Sequence, residues 1–263
     1  MWPVGTVIPV TFSRPDEDIL SSEAFKTVVA RVKTYAKIWS RYANIYFNFI
    51  DDPFQEGRIR IAFVPGPGHY SYIGMVEIDP SQSTMNFDPR EISDSTPEDR
   101  FRRVVLHEFG HALGFTHEQS QPKANISWNK DKVYDYYKEN FNWNRAKVDF
   151  NVIKEHRKWS FKEGHIPSTD FDPDSIMQYD VGSDFAMDGK PCGGRTVLSN
   201  NDKCFAWKCY PTESGLAGTF NIQLKITTQS NTPTLTPSVC YCSRDIGRST
   251  ATQGSPRCNP SHH

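Results

Sequence analysis

The chain reads as an α+β fold, in which half-buried strands are interleaved with amphipathic backing helices and the structure grows irregular and mostly helical toward the C-terminal side. Three observations predict it. Apolar residues recur at three- and four-residue steps from Phe25 through Val28, Val29, Val32, Tyr35 and Ala36 to Trp39, the period of a helix with one buried face. Ile45, Phe47 and Phe49 alternate along the chain, as do Ile59, Ile61 and Phe63, the period of half-buried strands. Phe101, Val104, Val105, Ala112 and Leu113 form a second helical stripe, which runs into a cluster of histidines.

Taken in order, the opening MWPVGTVIPVTF reads as a first strand. Ser21 or Ser22 caps the first helix through a hydroxyl that accepts from the free amides of its first turn. A turn over residues 53–57 divides the next two strands, the PGPG of residues 65–68 breaks the alternation, and residues 84–87 make a short further strand. Thr96 as N-cap, Pro97 as first helical residue and Asp99 as capping partner then start a helix over residues 97–113. Asn129 caps a helix through Val133, Tyr136 and Tyr137, and residues 142–174 are mostly polar with scattered aromatics. Ser199 and Asp202 form an SxxD capping box for a last helix, which Pro211 stops.

A chain of 263 residues accommodates one domain of about 200 residues and an appendage. The division falls between residues 1–211 and a Ser/Thr-rich, Cys-containing segment, 212–263. A net charge of −1 gives no global field that would select nucleic acid or an anionic membrane. No apolar run approaches the roughly 20 residues of a membrane-spanning helix, so a soluble, monomeric protein is expected. The N-terminus lacks the features of a signal peptide; the protein is cytosolic, or the sequence begins after a removed leader. All six cysteines, Cys192, Cys204, Cys209, Cys240, Cys242 and Cys258, lie in the last third. That clustering favours disulfides and a secreted, oxidising setting over a second metal site.

The chemistry lies in VVLHEFGHALGFTHEQ, residues 104–119. His107 and His111 project from one helix face and can hold one ion through ring nitrogens, with Glu108 within reach of a water on that ion. Gly114 can adopt the left-handed conformation that ends a helix, after which the chain returns His117 as a third ligand. Three protein ligands leave a position open for water, which is the catalytic arrangement of zinc. A histidine pair on a helix is ordinarily just a polar surface, but here five positions of HExxHxxGxxH are filled together. His69, His156 and His165 match no ligand spacing and read as surface or hydrogen-bonded residues. His262 and His263 lie too near the terminus to count as a site.

Glu118 extends the motif, and SIMQY at residues 175–179 looks like the methionine turn of the metzincin zinc peptidases. HExxHxxGxxHE, WPVGTVIPVTF, SYIG at 71–74, MNF at 85–87 and LSNNDK at 198–203 together resemble the astacin branch, in its microbial and fungal form, over roughly residues 2–211. The resemblance implies a twisted mixed sheet with backing and active-site helices in an upper part, an irregular, mostly helical lower part, and a zinc-dependent endopeptidase acting on proteins or peptides. It makes His107, His111 and His117 the ligands of one catalytic Zn2+, and Glu108 the base that activates its water. It sets Met177 beneath the metal and makes Tyr179 an extra ligand that swings away to bind the transition state. Gly114 and Glu118 serve as structural support, Glu118 either by anchoring a mature N-terminus or by orienting a neighbour. Gln178 departs from the family's usual SxMHY. The rival readings are a serralysin-like metzincin, disfavoured by the absence of glycine-rich repeats, and a secreted binding protein or effector on the same scaffold, against which Glu108 argues.

Overall fold

The computed structural model describes residues 1–51, 55–121, 123–153 and 170–212, with the backbone of 239–242. Strand β1 (Val7–Phe12) lies centrally and pairs in parallel with β2 (Tyr46–Phe49) on one side and β3 (Ile59–Ala62) on the other. Next to β3 comes the two-residue β5 (Met85–Asn86), also parallel, and then β4 (His69–Tyr72), which runs antiparallel. A stretch of the C-terminal segment, β6 (Val239–Cys242), adds antiparallel to the outer edge of β4 and completes the order β2-β1-β3-β5-β4-β6. The segment after residue 211 therefore contributes to the main sheet.

Two helices back this sheet. Helix α1 (Ser22–Ala36) has Ser21 as N-cap, its side chain accepting from the Ala24 amide, and buries Val28, Val32, Tyr35 and Ala36. Trp39 follows in a 3-10 turn, Trp39–Arg41, rather than in the helix itself, and is fully buried. Helix α2 (Glu98–Ala112) buries a continuous run from Arg103 to Ala112. Its start differs from the expected one: Pro97 is the N-cap and makes no side-chain cap bond. The Thr96 hydroxyl is engaged in the preceding turn, accepting from the Ser93 amide at 2.8 Å. Glu98 and Asp99 in the first turn complement the helix dipole instead. Arg31 of α1 ties down this end by donating to Thr96 O and the Glu98 carboxylate, with its guanidinium 3.8 Å from the centre of the Phe101 ring.

The other end of α2 matters more for the site. A buried helix end leaves carbonyls that must find donors, and here each is supplied. Phe115 N–H donates to Gly110 O, Gly114 N–H and Gly74 N–H to His111 O, the Trp2 indole to Ala112 O, and the Tyr210 phenol to Leu113 O. Gly114 makes this possible at φ +102°, a conformation costly for any residue with a Cβ. The Trp39 indole adds a bond to Leu106 O at 2.9 Å. Aromatic donors from three distant segments thus hold the histidine-bearing half of α2.

A second, smaller core gathers Val133 and Tyr137 of α3 (Lys130–Phe141) with Trp143, Val148, Val152 and Tyr179. Asn129 caps α3 as expected. The polar stretch after residue 142 holds a further short helix, α4 (Arg145–Val148), capped by Asn144 and running into a π turn over Asp149–Ile153. The last helix, α5 (Asn200–Cys209), starts on the expected box, with Ser199 and Asp202 each satisfying the other's backbone amide. Among the described cysteines, Cys204 and Cys209 are free thiols on this helix. The side chains of Cys240, Cys242 and Cys258 lie outside the described residues, as do His156, His165, His262 and His263. His69 is buried and hydrogen-bonded, its Nδ1 accepting from the Asp88 amide at 3.1 Å. No described helix is long and apolar enough to cross a membrane.

Candidate metal centre

Helix geometry places His107 and His111 one turn apart on the buried face of α2, and the Gly114 turn returns the chain so that His117 meets them. All three rings are buried, and their candidate ligand atoms lie within 4.8 Å of one another. Each outer nitrogen that can be assigned is spoken for. His107 Nδ1–H donates to Ile176 O at 2.8 Å, and His111 Nδ1–H to Phe115 O at 2.7 Å. Since a carbonyl can only accept, these bonds fix the proton on Nδ1 and turn Nε2 inward as a lone pair.

The inward atoms are placed to hold a cation. His111 Nε2 and His117 Nε2 stand 3.1 Å apart, close to the roughly 3.3 Å that two nitrogens keep on a tetrahedral zinc. His107 Nε2 is buried with no hydrogen-bond partner, and so are both carboxylate oxygens of Glu108. Burial holds His107 well below its usual pKa, with His111 adding to the effect, and holds His111 at about 4. Neutral imidazoles are the form that binds metal. Burial also pushes the Glu108 carboxyl well above its ordinary range. Three converging neutral donors beside an unpartnered buried carboxyl fit a divalent zinc ion and leave polar groups unsatisfied without one.

The turn at residues 175–179 lies against this cluster. The Tyr179 ring centre is 4.3 Å from that of His117 and 6.0 Å from that of His107, and the residue is buried. Its backbone is held by Gln119, whose Oε1 accepts from Tyr179 N–H at 3.1 Å, while Glu118 N–H donates to Met177 O at 3.1 Å. Gln178 is fully buried; its side-chain amide donates to Tyr179 O, and Arg103 donates to its backbone carbonyl. Arg103, itself buried, also donates to Arg195 O at 2.9 Å. The position where the family's usual turn has histidine therefore braces the backbone of Tyr179 rather than pointing to solvent.

Glu118 sits on the outer side of the His117 turn. Its carboxylate accepts from the Asp172 amide at 2.9 Å and from the Gln121 side chain at 3.3 Å, and burial pushes its pKa up to about 7. Met1 packs elsewhere, against Gly74 and Gly114.

Two supports were not evident from the motif. Gly110, the glycine inside HEFGH, packs against Met177: a methyl group there would collide with the Met177 sulfur and sit 3.3 Å from Trp39. Gly110→Ala is therefore expected to cost about 1–3 kcal/mol by overpacking and to weaken zinc retention, checked by thermal melts and chelator competition. An unchanged melting temperature would remove Met177 as a packed floor. The second, Asp202, carries a sequence signal only as a helix cap, yet its carboxylate also accepts from the Ser175 hydroxyl and the Ile176 amide.

The astacin peptidase family model matches residues 20–202. One structure of myroilysin is 38% identical, covers 80% of this chain and 95% of its own, and superposes with a TM-score of 0.68. A second myroilysin crystal structure gives 37% identity over 80% and 86% of the two chains, at a TM-score of 0.57. High choriolytic enzyme 1, a hatching enzyme zinc-protease of Oryzias latipes, shares the fold at 20% identity and a TM-score of 0.50, covering 78% of this chain and 88% of that one. Protein SpAN of Strongylocentrotus purpuratus is 27% identical over 164 residues, which are 57% of this chain and 22% of that longer protein. With its mixed sheet, buried histidine triad and methionine turn, the chain belongs to the astacin family of zinc metalloendopeptidases.

Proposed function

We propose that residues 1–211 form a catalytic unit that hydrolyses peptide bonds in proteins, with zinc held by His107, His111 and His117. The observation that carries this reading is the convergence of three buried imidazoles beside a fully buried, unpartnered Glu108. Zinc, when bound, supplies a Lewis acid that lowers the pKa of water toward about 7 and polarises a carbonyl. Glu108 accepts a proton from the attacking water and returns it to the nitrogen of the leaving amine. Tyr179 donates its phenol hydrogen to the oxyanion that develops at the scissile carbon. No covalent intermediate is required, because water is the nucleophile.

The direct test is cleavage of casein by the zinc-loaded protein, abolished by a chelator and restored by zinc. Zinc uptake without cleavage would favour a binding role for the scaffold. Tyr179→Phe keeps the ring that packs on His117 and removes one hydroxyl. It should lower kcat by about 10²–10³, the cost of losing one oxyanion donor, while zinc affinity changes far less. Equal losses in both would make Tyr179 a ligand first and a donor second.

A further inference from the structure

We propose that Asp202 is a positioning residue of the metal site, orienting the His107 ring through the backbone of residues 175–177. This rests on the zinc reading above. Asp202 lies in the first turn of α5, where the capping box assigns it only to the Ser199 amide, which its Oδ2 accepts at 2.8 Å. The same Oδ2 also accepts the Ile176 amide at 2.8 Å, and Oδ1 accepts the Ser175 hydroxyl at 2.6 Å. Ser175 Oγ in turn accepts the Met177 amide at 3.0 Å. That amide shares a rigid peptide plane with the Ile176 carbonyl, and the Ile176 carbonyl receives the Nδ1 proton of His107.

One carboxylate thus fixes two successive peptide planes, and the second of them sets the His107 ring. A directed run of hydrogen bonds leads from His107 Nδ1–H through the peptide group and the Ser175 hydroxyl to the Asp202 carboxyl group, which accepts from three donors. Ser175, Ile176, Met177 and Asp202 are each less than a tenth exposed, so water does not compete with these bonds. Zinc-binding histidines are commonly oriented by a carboxylate bonded to the other ring nitrogen, and such partners are worth about 10–100-fold in metal affinity. Here the carboxylate acts at one remove. It fixes the tautomer that leaves Nε2 free, and each bond in the run polarises the next toward a more basic ligand.

Ser199 provides a control on the same helix turn. Its hydroxyl accepts the Asp202 amide at 2.9 Å and donates to Asp172 at 2.6 Å, yet it touches neither Ser175 nor Ile176. Ser199→Ala removes the cap and leaves the relay in place. Zinc affinity measured by chelator competition should fall about 10-fold or more in Asp202→Asn and in Ser175→Ala. In Ser199→Ala it should stay within about twofold, although that variant loses the roughly 1 kcal/mol of a helix cap. In the metal-free protein, nitrogen NMR should show His107 as the single Nδ1–H tautomer in the wild type and as a mixture in Asp202→Asn. Wild-type zinc affinity in both Asp202→Asn and Ser175→Ala, or an equal loss in Ser199→Ala, would overturn the proposal. If the wild-type chain binds no zinc, the zinc reading falls, and the His107 tautomer still decides the relay.

Discussion

Glu108→Gln is expected to lower kcat/KM on peptide substrates by about 10²–10⁴, the range of a lost general base, while the protein still takes up one zinc per chain. The variant isolates the proton-transfer role, because Glu108 makes no hydrogen bond whose loss could disturb the fold. A structural consequence follows with the opposite sign. Burial raises the carboxyl well above its ordinary pKa, so its folded charged form is disfavoured. A neutral amide of the same shape removes that cost at pH values where an unfolded carboxyl ionises. The metal-free variant should therefore melt at or above the wild-type temperature near neutral pH, even as activity disappears. Retained turnover would exclude Glu108 as the base. Lost zinc would make it part of the metal-holding set.

The histidine-bearing helix is legible because its information is local. A 3.6-residue period places His107 and His111 together, and Gly114 marks the left-handed exit that returns His117. The α5 capping box was legible for the same reason. Strand β4 was not. Its inward positions include His69 and Ser71, while Tyr70 and Tyr72 are more exposed, so the apolar alternation that announces a strand is reversed. His69 Nδ1 accepts from the Asp88 amide and the Ser71 hydroxyl donates to the Tyr72 carbonyl, contacts that hydropathy does not encode. The start of α2 misled because the Thr96 hydroxyl serves the turn before it. The groups that orient the histidines are backbone carbonyls of Ile176 and Phe115, and a carbonyl is the same whatever the residue. Only the fold determines which one arrives at the ring.

His117→Ala should lower zinc affinity by at least about 100-fold, since orienting partners alone are worth about 10–100-fold, and should abolish the zinc-dependent rise in melting temperature. That rise can be read against pH with a definite sign. In the metal-free protein, burial holds His111 at about 4 and His107 well below 6.5, whereas their unfolded pKa is 6.5. Their contribution to stability is full above 6.5 and is lost as pH falls toward 4. Glu108 runs the other way. Its folded pKa lies well above 4.5, so its contribution is full below 4.5 and is lost as pH rises through the folded value. A bound dication favours both the neutral imidazoles and the ionised carboxylate. Zinc competes with protons on the imidazoles only as pH falls toward 4, so from about pH 5 upward the trend comes from the buried Glu108 carboxyl, whose ionised form zinc relieves. The zinc-induced gain in melting temperature should therefore grow from about pH 5 to about pH 8, the stabilisation behind it reaching roughly 4 kcal/mol with zinc at a thousand times its Kd. A gain that is flat across this range in the wild type, or undiminished in His117→Ala, would mean that zinc acts somewhere other than this cluster.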